Sequence, residues 1–350
     1  MSRLRKEKPF RKRSWDEERD IDAASREPRR LRQRSVNETS RLLTSQEYFT
    51  AKETNGIVVS PYGVLAFVEH EGVERLCRVV DRLTDGKTSI LSPGDYVWIE
   101  QVSGQWMVRE VAPLKSVLQY YSEGKTRIIA ANVDRLLVVA SALKPRFKPG
   151  FVDRCLIAAE ACGVPTIICL NKIDLVETVP QEIQDYAQLG FTVVVTSCVT
   201  GAGLSELRQA LENTTTVLCG QSGVGKSSLI KALAPELDIA VSEVSRTREK
   251  GRHTTTASRM YRVGENIRLI DTPGVKTLGV WGVSPEELDY YFPEFHEYAL
   301  SCCFRDCTHI HEPSCAIREA LERGEIVRRR YESYRRIRQD IEEHQERNLK

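Results

Sequence analysis

Short apolar runs separated by turn residues occupy the chain from Gly56 to about Val111. The runs are rich in β-branched and aromatic residues, and Gly, Pro, Asp and Ser between them favour tight turns. Five short strands with close turns are typical of a small antiparallel barrel. We expect an oligonucleotide-binding (OB) type of barrel first and an SH3-like barrel second. The five predicted strands are GIVVS, VLAFVEH, RLCRVV, DYVWIE and QWMVREV.

Three aromatic residues of this predicted barrel allow two interpretations. Tyr96, Trp98 and Trp106 could serve as platforms on which nucleic-acid bases stack. They could also fill the interior of the barrel. Because the barrel is small, we favour the interior.

From Val133 onward, strand-like and helix-like segments alternate. This alternation predicts a mostly parallel sheet with helices on both faces. In chain order we expect strand RLLVVAS, an amphipathic helix FVDRCLIAAEACG, strand PTIICLN, a polar helix near 179–189, strand FTVVVTS, helix GAGLSELRQALE, strand TTTVLCG, helix GKSSLIKALA, and a strand pair SRMYRV and NIRLID.

The two ends of the chain differ from its middle. Residues 1–35 carry thirteen Lys and Arg against seven Asp and Glu and show no apolar periodicity. That composition fits a disordered tail, an arm that binds an anionic partner such as nucleic acid, or both. From about residue 285 the chain becomes helical and rich in Cys and His, and it ends in a charged helix over roughly 315–347. We therefore predict a multidomain chain with a basic tail (1–50), an all-β OB-like barrel (51–115), an α/β domain (120–284) and a metal-binding helical domain (285–350).

Composition and the lack of long apolar runs indicate where in the cell the protein works. The formal net charge is +2, and the ten cysteines are mostly scattered, which indicates reduced thiols and one metal site. No run approaches the ~20 apolar residues that cross a bilayer, and the N-terminus lacks the apolar stretch of a secretory signal. We expect a cytoplasmic protein without a membrane partner. Since no heptad pattern runs long enough to force association, we expect a monomer.

A phosphate-binding loop is the strongest single motif. The segment GQSGVGKS, residues 220–227, matches G-x-x-x-x-G-K-[ST] and lies between a predicted strand and a predicted helix. In such loops backbone N–H groups and the helix N-terminus surround phosphate oxygens. Lys226 would reach the β- and γ-phosphates, and Ser227 would bind Mg²⁺. The candidate nucleotide-binding residues here are Gly220, Gln221, Ser222, Gly223, Val224, Gly225, Lys226, Ser227 and Ser228.

Two further segments fit the phosphate end of a nucleotide. Asp271 opens DTPG after an apolar strand, where its carboxylate suits Mg²⁺ and Gly274 suits a backbone contact with the γ-phosphate. Between the two motifs lies GRHTTT, a basic segment without an apolar face that is typical of a mobile loop. One of its threonines would bind Mg²⁺ through its hydroxyl. Among the threonines at 254–256 we select Thr255 and leave the others open.

The base is selected by NKID, residues 171–174, at the end of a predicted strand. A carboxylate accepts hydrogen bonds from N1–H and the 2-amino group of guanine, which adenine does not offer, and Asp174 is placed for this. Asn171 would support the neighbouring loop, the stem of Lys172 would lie against the base, and SCVTG would offer backbone donors to the guanine oxygen. The sequence therefore favours GTP and GDP as ligands. The candidate guanine-site residues are Asn171, Lys172, Ile173, Asp174, Ser197 and Cys198.

The order of these motifs is permuted. NKID and SCVTG precede GQSGVGKS, GRHTTT and DTPG, whereas GTPases ordinarily begin with the phosphate loop. A closed fold tolerates such a change when its old termini are joined and new termini are opened elsewhere. From chain order alone we expect the barrel to lie beside guanine recognition and the metal-binding segment to lie beside the phosphate contacts.

A cluster of cysteine and histidine predicts one structural zinc ion. Four of the ten cysteines and two of the six histidines fall within residues 302–315. Three thiolates and one imidazole form a closed tetrahedral zinc site. Cys303 and His311 compete as ligands. The set that we select, Cys302, Cys307, His309 and Cys315, has the spacing C-x4-C-x-H-x5-C.

Taken together, these motifs resemble the RsgA family (also called YjeQ) of GTPases that depend on the small ribosomal subunit. The resemblance rests on the barrel, NKID, GQSGVGKSS, GRHTTT, DTPG and the cysteine cluster before a terminal helix, and it covers roughly residues 50–340. It implies a late factor in small-subunit assembly that contacts ribosomal RNA, with a weak GTPase that the subunit stimulates. The first fifty residues lie outside it.

Hydrolysis raises a separate question. Many GTPases place a glutamine after DTxG to orient the attacking water, and here Val275 holds that position. We therefore expect slow hydrolysis unless another group helps, and His253 is the candidate catalytic residue. The alternatives are a GTP-dependent RNA-binding module or chaperone in which hydrolysis is incidental, and a GTPase that serves a non-ribosomal protein.

Overall fold

Five strands close a barrel at the start of the computed structural model, which describes residues 50–122, 125–237, 258–272, 280 and 283–348. The strand order is β1-β2-β3-β5-β4, with β1 paired to β4 and only the β3–β5 pair parallel. Valine, leucine, isoleucine and alanine side chains fill its interior. The predicted strands and the closed, OB-like barrel are thus confirmed. The strands are β1 (Gly56–Tyr62), β2 (Leu65–His70), β3 (Val73–Val79), β4 (Tyr96–Val102) and β5 (Gln105–Val111).

The three barrel aromatics are neither core residues nor open platforms. All are half-buried. Trp106 packs against the barrel interior, and the guanidinium of Arg75 lies 4.6 Å from the centre of its ring. Tyr96 instead packs against the core of the neighbouring sheet. The expectation that they fill the barrel is therefore wrong for Tyr96, because β4 turns that side chain toward the next unit.

A hairpin that the sequence pattern did not predict joins the barrel to the sheet. Its strands are β6 (Val117–Ser122) and β7 (Lys125–Ala131), and it crosses the predicted boundary at residue 120. Asn132 fixes the junction, because its amide accepts from the Lys115 backbone at 3.0 Å and donates to the Gly94 carbonyl at 2.9 Å. Gly94 has a φ of +94°, and a Cβ there would lie 2.2 Å from the Ala131 carbonyl oxygen. Only glycine fits this joint.

The second unit is a six-stranded sheet in the order β10-β9-β8-β11-β13-β12. All neighbouring strands are parallel except β12, which runs antiparallel to β13. These strand directions confirm the predicted mostly parallel sheet. Separate apolar clusters cover its two faces. The elements are β8 (Arg135–Ser141), α1 (Pro149–Ala161), β9 (Thr166–Asn171), a 3-10 turn (Ile173–Leu175), α2 (Gln181–Gln188), β10 (Thr192–Val195), α3 (Leu204–Leu211), β11 (Thr215–Cys219), α4 (Lys226–Leu233), β12 (Arg259–Val263) and β13 (Ile267–Asp271).

The third unit consists of short helices and one long helix. The single charged helix predicted over 315–347 is two helices, because Gly324 adopts a φ of +79° and ends the first. In the long helix, buried Tyr331, Tyr334, Ile337 and Ile341 form one apolar stripe. The helices are 3-10 Pro285–Tyr291 and Pro293–Phe295, then α5 (His296–Ala299), α6 (Ala316–Glu322) and α7 (Arg328–Asn348).

Helix α1 differs from its predicted amphipathic character. Eight of its residues are buried, and they cover more than one face. Phe151 and Val152 pack on the sheet, whereas Ile157 belongs to the core of the C-terminal unit. The helix is therefore enclosed between two units, which chain periodicity does not reveal.

The barrel docks on the edge of the sheet that is formed by β12, next to β13. Its strand β1 contacts β12. The Ser60 hydroxyl donates to the Ser258 carbonyl at 3.0 Å, and Glu74 pairs with Arg259 at 2.7 Å. Glu69 pairs with Arg262 at 3.3 Å. The C-terminal unit meanwhile packs on α1 and reaches α2, the helices before and after NKID in the chain. We expected from chain order that the barrel would lie beside guanine recognition and the metal-binding segment beside the phosphate contacts. That expectation is wrong, because long-range packing rather than sequence proximity determines which units are neighbours.

No helix within the described ranges is long and apolar enough to cross a membrane. The predicted tail over 1–50 lies outside those ranges, apart from residue 50.

Candidate functional site

The carboxyl ends of the central strands bring the nucleotide motifs to one edge of the sheet. Asn171 is the last residue of β9, Cys219 precedes the phosphate loop at the end of β11, and Asp271 ends β13. Ser197 follows β10 by two residues. Parallel α/β sheets bind ligands at this edge. The structure therefore brings together motifs that lie up to 100 residues apart in sequence.

The phosphate loop links β11 to α4 through glycines at positions where a Cβ would clash or the backbone would be strained. Gly223 and Gly225 have φ values of +82° and +102°. A Cβ on Gly220 would lie 2.5 Å from the Val139 carbonyl oxygen, and one on Gly225 would lie 2.4 Å from the Asn171 amide nitrogen. The loop is thus closely packed against β8 and β9. Gln221, Ser222 and Ser228 are exposed or half-buried along it.

Lys226 is folded over its own loop. Its ammonium donates to the Gly220 carbonyl at 2.7 Å and lies 3.5 Å from the Gln221 carbonyl. These bonds hold a positive charge at the mouth of the loop, where the α4 N-terminus also favours an anion. Ser227 follows in the first turn of α4 and is half-buried. The arrangement places Lys226 and Ser227 where the sequence predicts contacts with phosphate and with magnesium.

Asn171 connects NKID, the predicted base-reading segment (residues 171–174), to the phosphate loop. Its side-chain amide donates to the Val224 carbonyl at 3.0 Å, and its side-chain oxygen accepts from the Thr196 hydroxyl at 3.2 Å. Lys172, in the left-handed conformation, donates to the Gly223 carbonyl at 2.5 Å and to the Lys144 carbonyl at 2.6 Å. Asn171 and Lys172 therefore bind the loops that follow β8, β10 and β11 and fix the positions of these loops relative to one another.

Asp174 is exposed and oriented by the adjacent loop. The Ser197 hydroxyl donates to its carboxylate at 2.5 Å. The same hydroxyl oxygen accepts from the backbone of Val199 and Thr200 at 3.2 and 3.1 Å. Cys198 is half-buried, with its sulfur 3.6 Å from the Asn171 side-chain oxygen. NKID and SCVTG thus form one hydrogen-bonded group, and Ile173 beneath it packs on the sheet core.

Asp271 is buried and one of its oxygens has no partner. Its side chain is 4% exposed, and Oδ1 makes no hydrogen bond among the described residues. Burial raises the pKa of this carboxyl, and the charge of Lys226 acts in the opposite direction. An orphaned buried carboxylate oxygen close to a lysine fits the coordination of Mg²⁺ or of a water bound to it. The residues present therefore fit a magnesium site.

Four predicted positions lie outside the described residues. They are the candidate catalytic His253, the candidate magnesium ligand Thr255, the γ-phosphate contact Gly274, and Val275.

The four predicted zinc ligands converge at one point in the C-terminal unit. Cys302, Cys307, His309 and Cys315 bring their ligand atoms within 4.8 Å of one another. The Cys302 and Cys315 sulfurs lie 3.9 Å apart, and Nδ1 of His309 lies 3.6 and 3.5 Å from them. Tetrahedral zinc requires ligand separations of about 3.5–3.8 Å. The competing ligands Cys303 and His311 are exposed and do not belong to the cluster.

A surrounding set of polar groups fixes these ligands. Nε2 of His309 lies 3.5 Å from the Asp289 carboxylate, the partner that metal-bound histidines usually have. Glu312 accepts from the Thr308 hydroxyl at 2.5 Å and from three backbone amides. Although burial opposes it, these hydrogen bonds lower the pKa of Glu312 to about 2. The cluster can therefore hold a metal ion in a preformed loop.

Sequence reasoning missed several residues of the site. Asp289 lies in a helical segment without any ligand spacing. Thr196 and the Lys144 carbonyl act through contacts with residues more than twenty positions away. Thr196 alone had a sequence signal, since it immediately precedes SCVTG.

Comparisons with known proteins agree with this geometry. The RsgA GTPase family model matches residues 111–281. A protein of Vibrio vulnificus (strain YJ016), "Small ribosomal subunit biogenesis GTPase RsgA 1", is 40% identical over 296 residues, covering 81% of this chain and 82% of the relative. A Pectobacterium atrosepticum protein, "Small ribosomal subunit biogenesis GTPase RsgA", is 39% identical over 319 residues, covering 87% and 90%.

Two solved structures share the fold. YjeQ from Thermotoga maritima superposes with a TM-score of 0.63 at 31% identity, covering 82% of this chain and 98% of that one. YloQ, described as a circularly permuted GTPase, superposes with a TM-score of 0.60 at 27% identity, covering 84% and 96%.

Proposed function

The chain belongs to the RsgA GTPase family, and we propose that it binds the small ribosomal subunit, assists its late assembly, and hydrolyses GTP under stimulation by that subunit. That the chain is a GTP hydrolase follows from its family. The subunit as partner is supported by the names of its relatives, which are small ribosomal subunit biogenesis GTPases. Such a role fits the cytoplasmic location expected from the sequence.

One observation supports the nucleotide site most directly. The bond between Asn171 and Val224 joins the base-reading segment to the phosphate loop although the chain order of the two is permuted. A single nucleotide can therefore contact both. In our proposal Asp174 accepts from N1–H and the 2-amino group of guanine, and Ser197 holds that carboxylate. The residues from Gly220 to Ser228 surround the phosphates.

The phosphate end supplies electrostatic stabilisation. Lys226 would release its contacts with the Gly220 and Gln221 carbonyls and turn to the β- and γ-phosphates. Ser227, Thr255 and Asp271 would hold Mg²⁺, which neutralises charge that develops during hydrolysis. Because phosphoryl transfer depends mainly on positioning and charge, these residues account for the required chemistry.

Slow intrinsic turnover is part of the proposal. Val275 offers no hydrogen bond to the attacking water, so His253 would orient it once ribosomal RNA fixes the surrounding segment. The test is a His253→Ala variant. We expect it to lose most of the subunit-stimulated turnover while it binds GTP normally. Unchanged stimulated turnover would remove His253 from the mechanism.

We propose zinc as the ion of the C-terminal cluster. Three sulfurs and one imidazole nitrogen within 4.8 Å of one another suit zinc better than magnesium or calcium, which prefer oxygen. With all four positions supplied by protein, the ion would stabilise the fold and open no coordination site to substrate. The barrel and this unit would provide the surfaces that contact ribosomal RNA.

Binding to the subunit is tested by sedimentation with purified small subunits. The protein is incubated with GDP or with a non-hydrolysable GTP analogue, and its fraction in the subunit pellet is measured. We expect greater co-sedimentation with the GTP analogue. Equal, negligible binding under both conditions at low salt would contradict the proposed partner.

A further inference from the structure

A buried cluster of charges attaches the C-terminal unit to the helices beside the base-reading segment. Arg330, in the first turn of α7, donates to Asp153 of α1 and forms two bonds with Glu294, at 2.6 and 3.2 Å. Arg329 lies 3.5 Å from Asp153 and 3.7 Å from Asp185 of α2. Two cations and three carboxylates thus meet at the junction of four segments, α1, α2, α7 and the 3-10 helix that carries Glu294.

This cluster is enclosed by protein. Asp153 is 0% and Arg330 1% exposed, and the Arg330 guanidinium lies 4.6 Å from the centre of the Phe292 ring. Buried charges are tolerated only when they are paired, and removal of one partner leaves the other uncompensated. The C-terminal unit is therefore not free to slide on α1. Its position and that of Asp153 are fixed together.

Tyr186 extends this constraint to α2. Its hydroxyl donates to Asp153 at 2.5 Å, and Arg329 donates to the same hydroxyl at 3.2 Å. Burial, followed by the charge of Asp153, raises the pKa of Tyr186, so the hydroxyl remains protonated and donates. Tyr186 is 0% exposed. The position of α2 therefore depends on the Asp153 carboxylate that Arg330 holds.

The base-reading segment rests on the same packing. Ile173, the third residue of NKID, and Val176 pack against the apolar cluster that contains Tyr186 and the inner face of α1. Asp174 lies between them in the chain. A shift of α2 would therefore move the support on which the Asp174 carboxylate is placed.

We propose that Arg330, Asp153 and Tyr186 are positioning residues for guanine recognition, through which the docked C-terminal unit holds the Asp174 segment in register with the base. This inference rests on the proposed guanine site and adds to it a role for the C-terminal unit. Because coupling is reciprocal, guanine nucleotide bound at Asp174 also strengthens the docking of the unit on α1. The three residues touch neither base nor phosphate.

The test compares GDP with inosine diphosphate (IDP), which lacks the 2-amino group of guanine. The ratio of the two dissociation constants reports the contact of Asp174 with the 2-amino group, because N1–H, ribose and phosphates are the same in both ligands. A hydrogen bond to a charged group is worth roughly tenfold or more in affinity, so we expect a ratio of that order in the unaltered protein. A general loss of stability would weaken both ligands together and leave the ratio unchanged.

Two variants and one control decide the question. Tyr186→Phe removes only the hydroxyl and preserves ring packing, and Arg330→Met removes the charge that holds Asp153. Arg336→Met is the matched control on the same helix, since Arg336 is exposed and pairs only loosely with Glu332, at 3.9 Å. Full-length protein is used throughout, and equilibrium titrations with GDP and IDP give the dissociation constants.

We expect Tyr186→Phe to lower the IDP-to-GDP ratio by about fivefold, chiefly through weaker GDP binding, with Arg336→Met unchanged. Arg330→Met should lower the ratio further. If it fails to fold, the Tyr186→Phe result decides alone. An unchanged ratio in Tyr186→Phe would overturn the coupling while the guanine site stands. A ratio near one in the unaltered protein would instead remove the guanine site itself, and the inference with it.

Discussion

The side-chain amide of Asn171 lies 3.0 Å from the carbonyl oxygen of Val224, which it binds across fifty-three positions of sequence. Asn171 ends β9, and Val224 lies in the loop between β11 and α4. In the usual GTPase order the phosphate loop would come first. Here the order is reversed, and the contact forms because β9 and β11 end at the same edge of the sheet, one on each side of β8.

Loss of this bond should weaken nucleotide binding. Asn171→Ala leaves the buried Val224 carbonyl without its partner and frees the phosphate loop from β9. At about 1–3 kcal/mol for such a loss, GDP affinity should fall by roughly 5- to 150-fold. Titration with a fluorescent GDP analogue measures it, with the exposed Gln209→Ala as control. Equal affinities in both variants would show that the contact is unimportant.

Asp174 should determine the choice of base. Asp174→Asn presents an amide donor where guanine carries its 2-amino donor, whereas xanthine carries an oxygen acceptor there. We expect GTP affinity to fall by roughly tenfold or more and xanthosine triphosphate to bind in preference. Competition binding measures both, with the exposed Glu177→Gln as control. A variant that retains its preference for GTP would place base recognition elsewhere.

The cluster of Cys302, Cys307, His309 and Cys315 allows a matched pair of cysteine variants that tests the proposed zinc ion. Cys315→Ser removes a buried ligand, so bound zinc should fall from one ion per chain to well below one, with a lower melting temperature. Cys303→Ser changes an exposed cysteine outside the cluster and should alter neither quantity. Elemental analysis and thermal unfolding measure the two effects. Zinc retained by Cys315→Ser, or lost by Cys303→Ser, would contradict the ligand set.

Asp95 should make stability fall as pH rises toward neutrality. Burial raises the pKa of this barrel residue to about 7, partly opposed by the hydrogen bond from the Ser92 amide. The unfolded chain releases this proton near pH 4 and the folded chain near pH 7, so the contribution is complete below about pH 4 and is lost as pH rises through about 7.

Asp95→Asn mimics the protonated form at every pH. Relative to the unaltered protein, it should therefore gain about 2 kcal/mol or more in free energy of unfolding between pH 5 and pH 8. Urea unfolding at the two pH values measures this, with the exposed Asp81→Asn as control. A difference between Asp95→Asn and the unaltered protein that does not change with pH would contradict the assignment.

The sequence predicted the elements whose residues carry local signals. The turn residues indicated the barrel strands, the apolar runs indicated the sheet strands, and the Cys and His spacing indicated a cluster that could hold a metal ion. The split at Gly324 was missed, although a glycine after a charged helical run is a common helix end. The hairpin β6–β7 was missed because its strands are half polar and resemble a linker.

The arrangement of the units could not be predicted in the same way. It depends on pairs such as Arg330 and Asp153, which are 177 positions apart and are ordinary charged residues in the sequence. Nothing local distinguishes Arg330 from exposed Arg336 six positions later. The placement of the barrel on β12 is also supported by contacts between residues far apart in sequence. Ile57 and Val59 belong to an apolar cluster of the sheet, and the Ser60 hydroxyl binds the Ser258 carbonyl.

GTP turnover with purified small subunits, with purified large subunits and with neither tests the central proposal most directly. Because Val275 cannot orient water, turnover by the protein alone should be slow. We expect small subunits to raise it by at least about tenfold and large subunits to leave it unchanged. Equal rates in all three conditions would contradict a GTPase stimulated by the small subunit, and would favour a binding module in which hydrolysis is incidental.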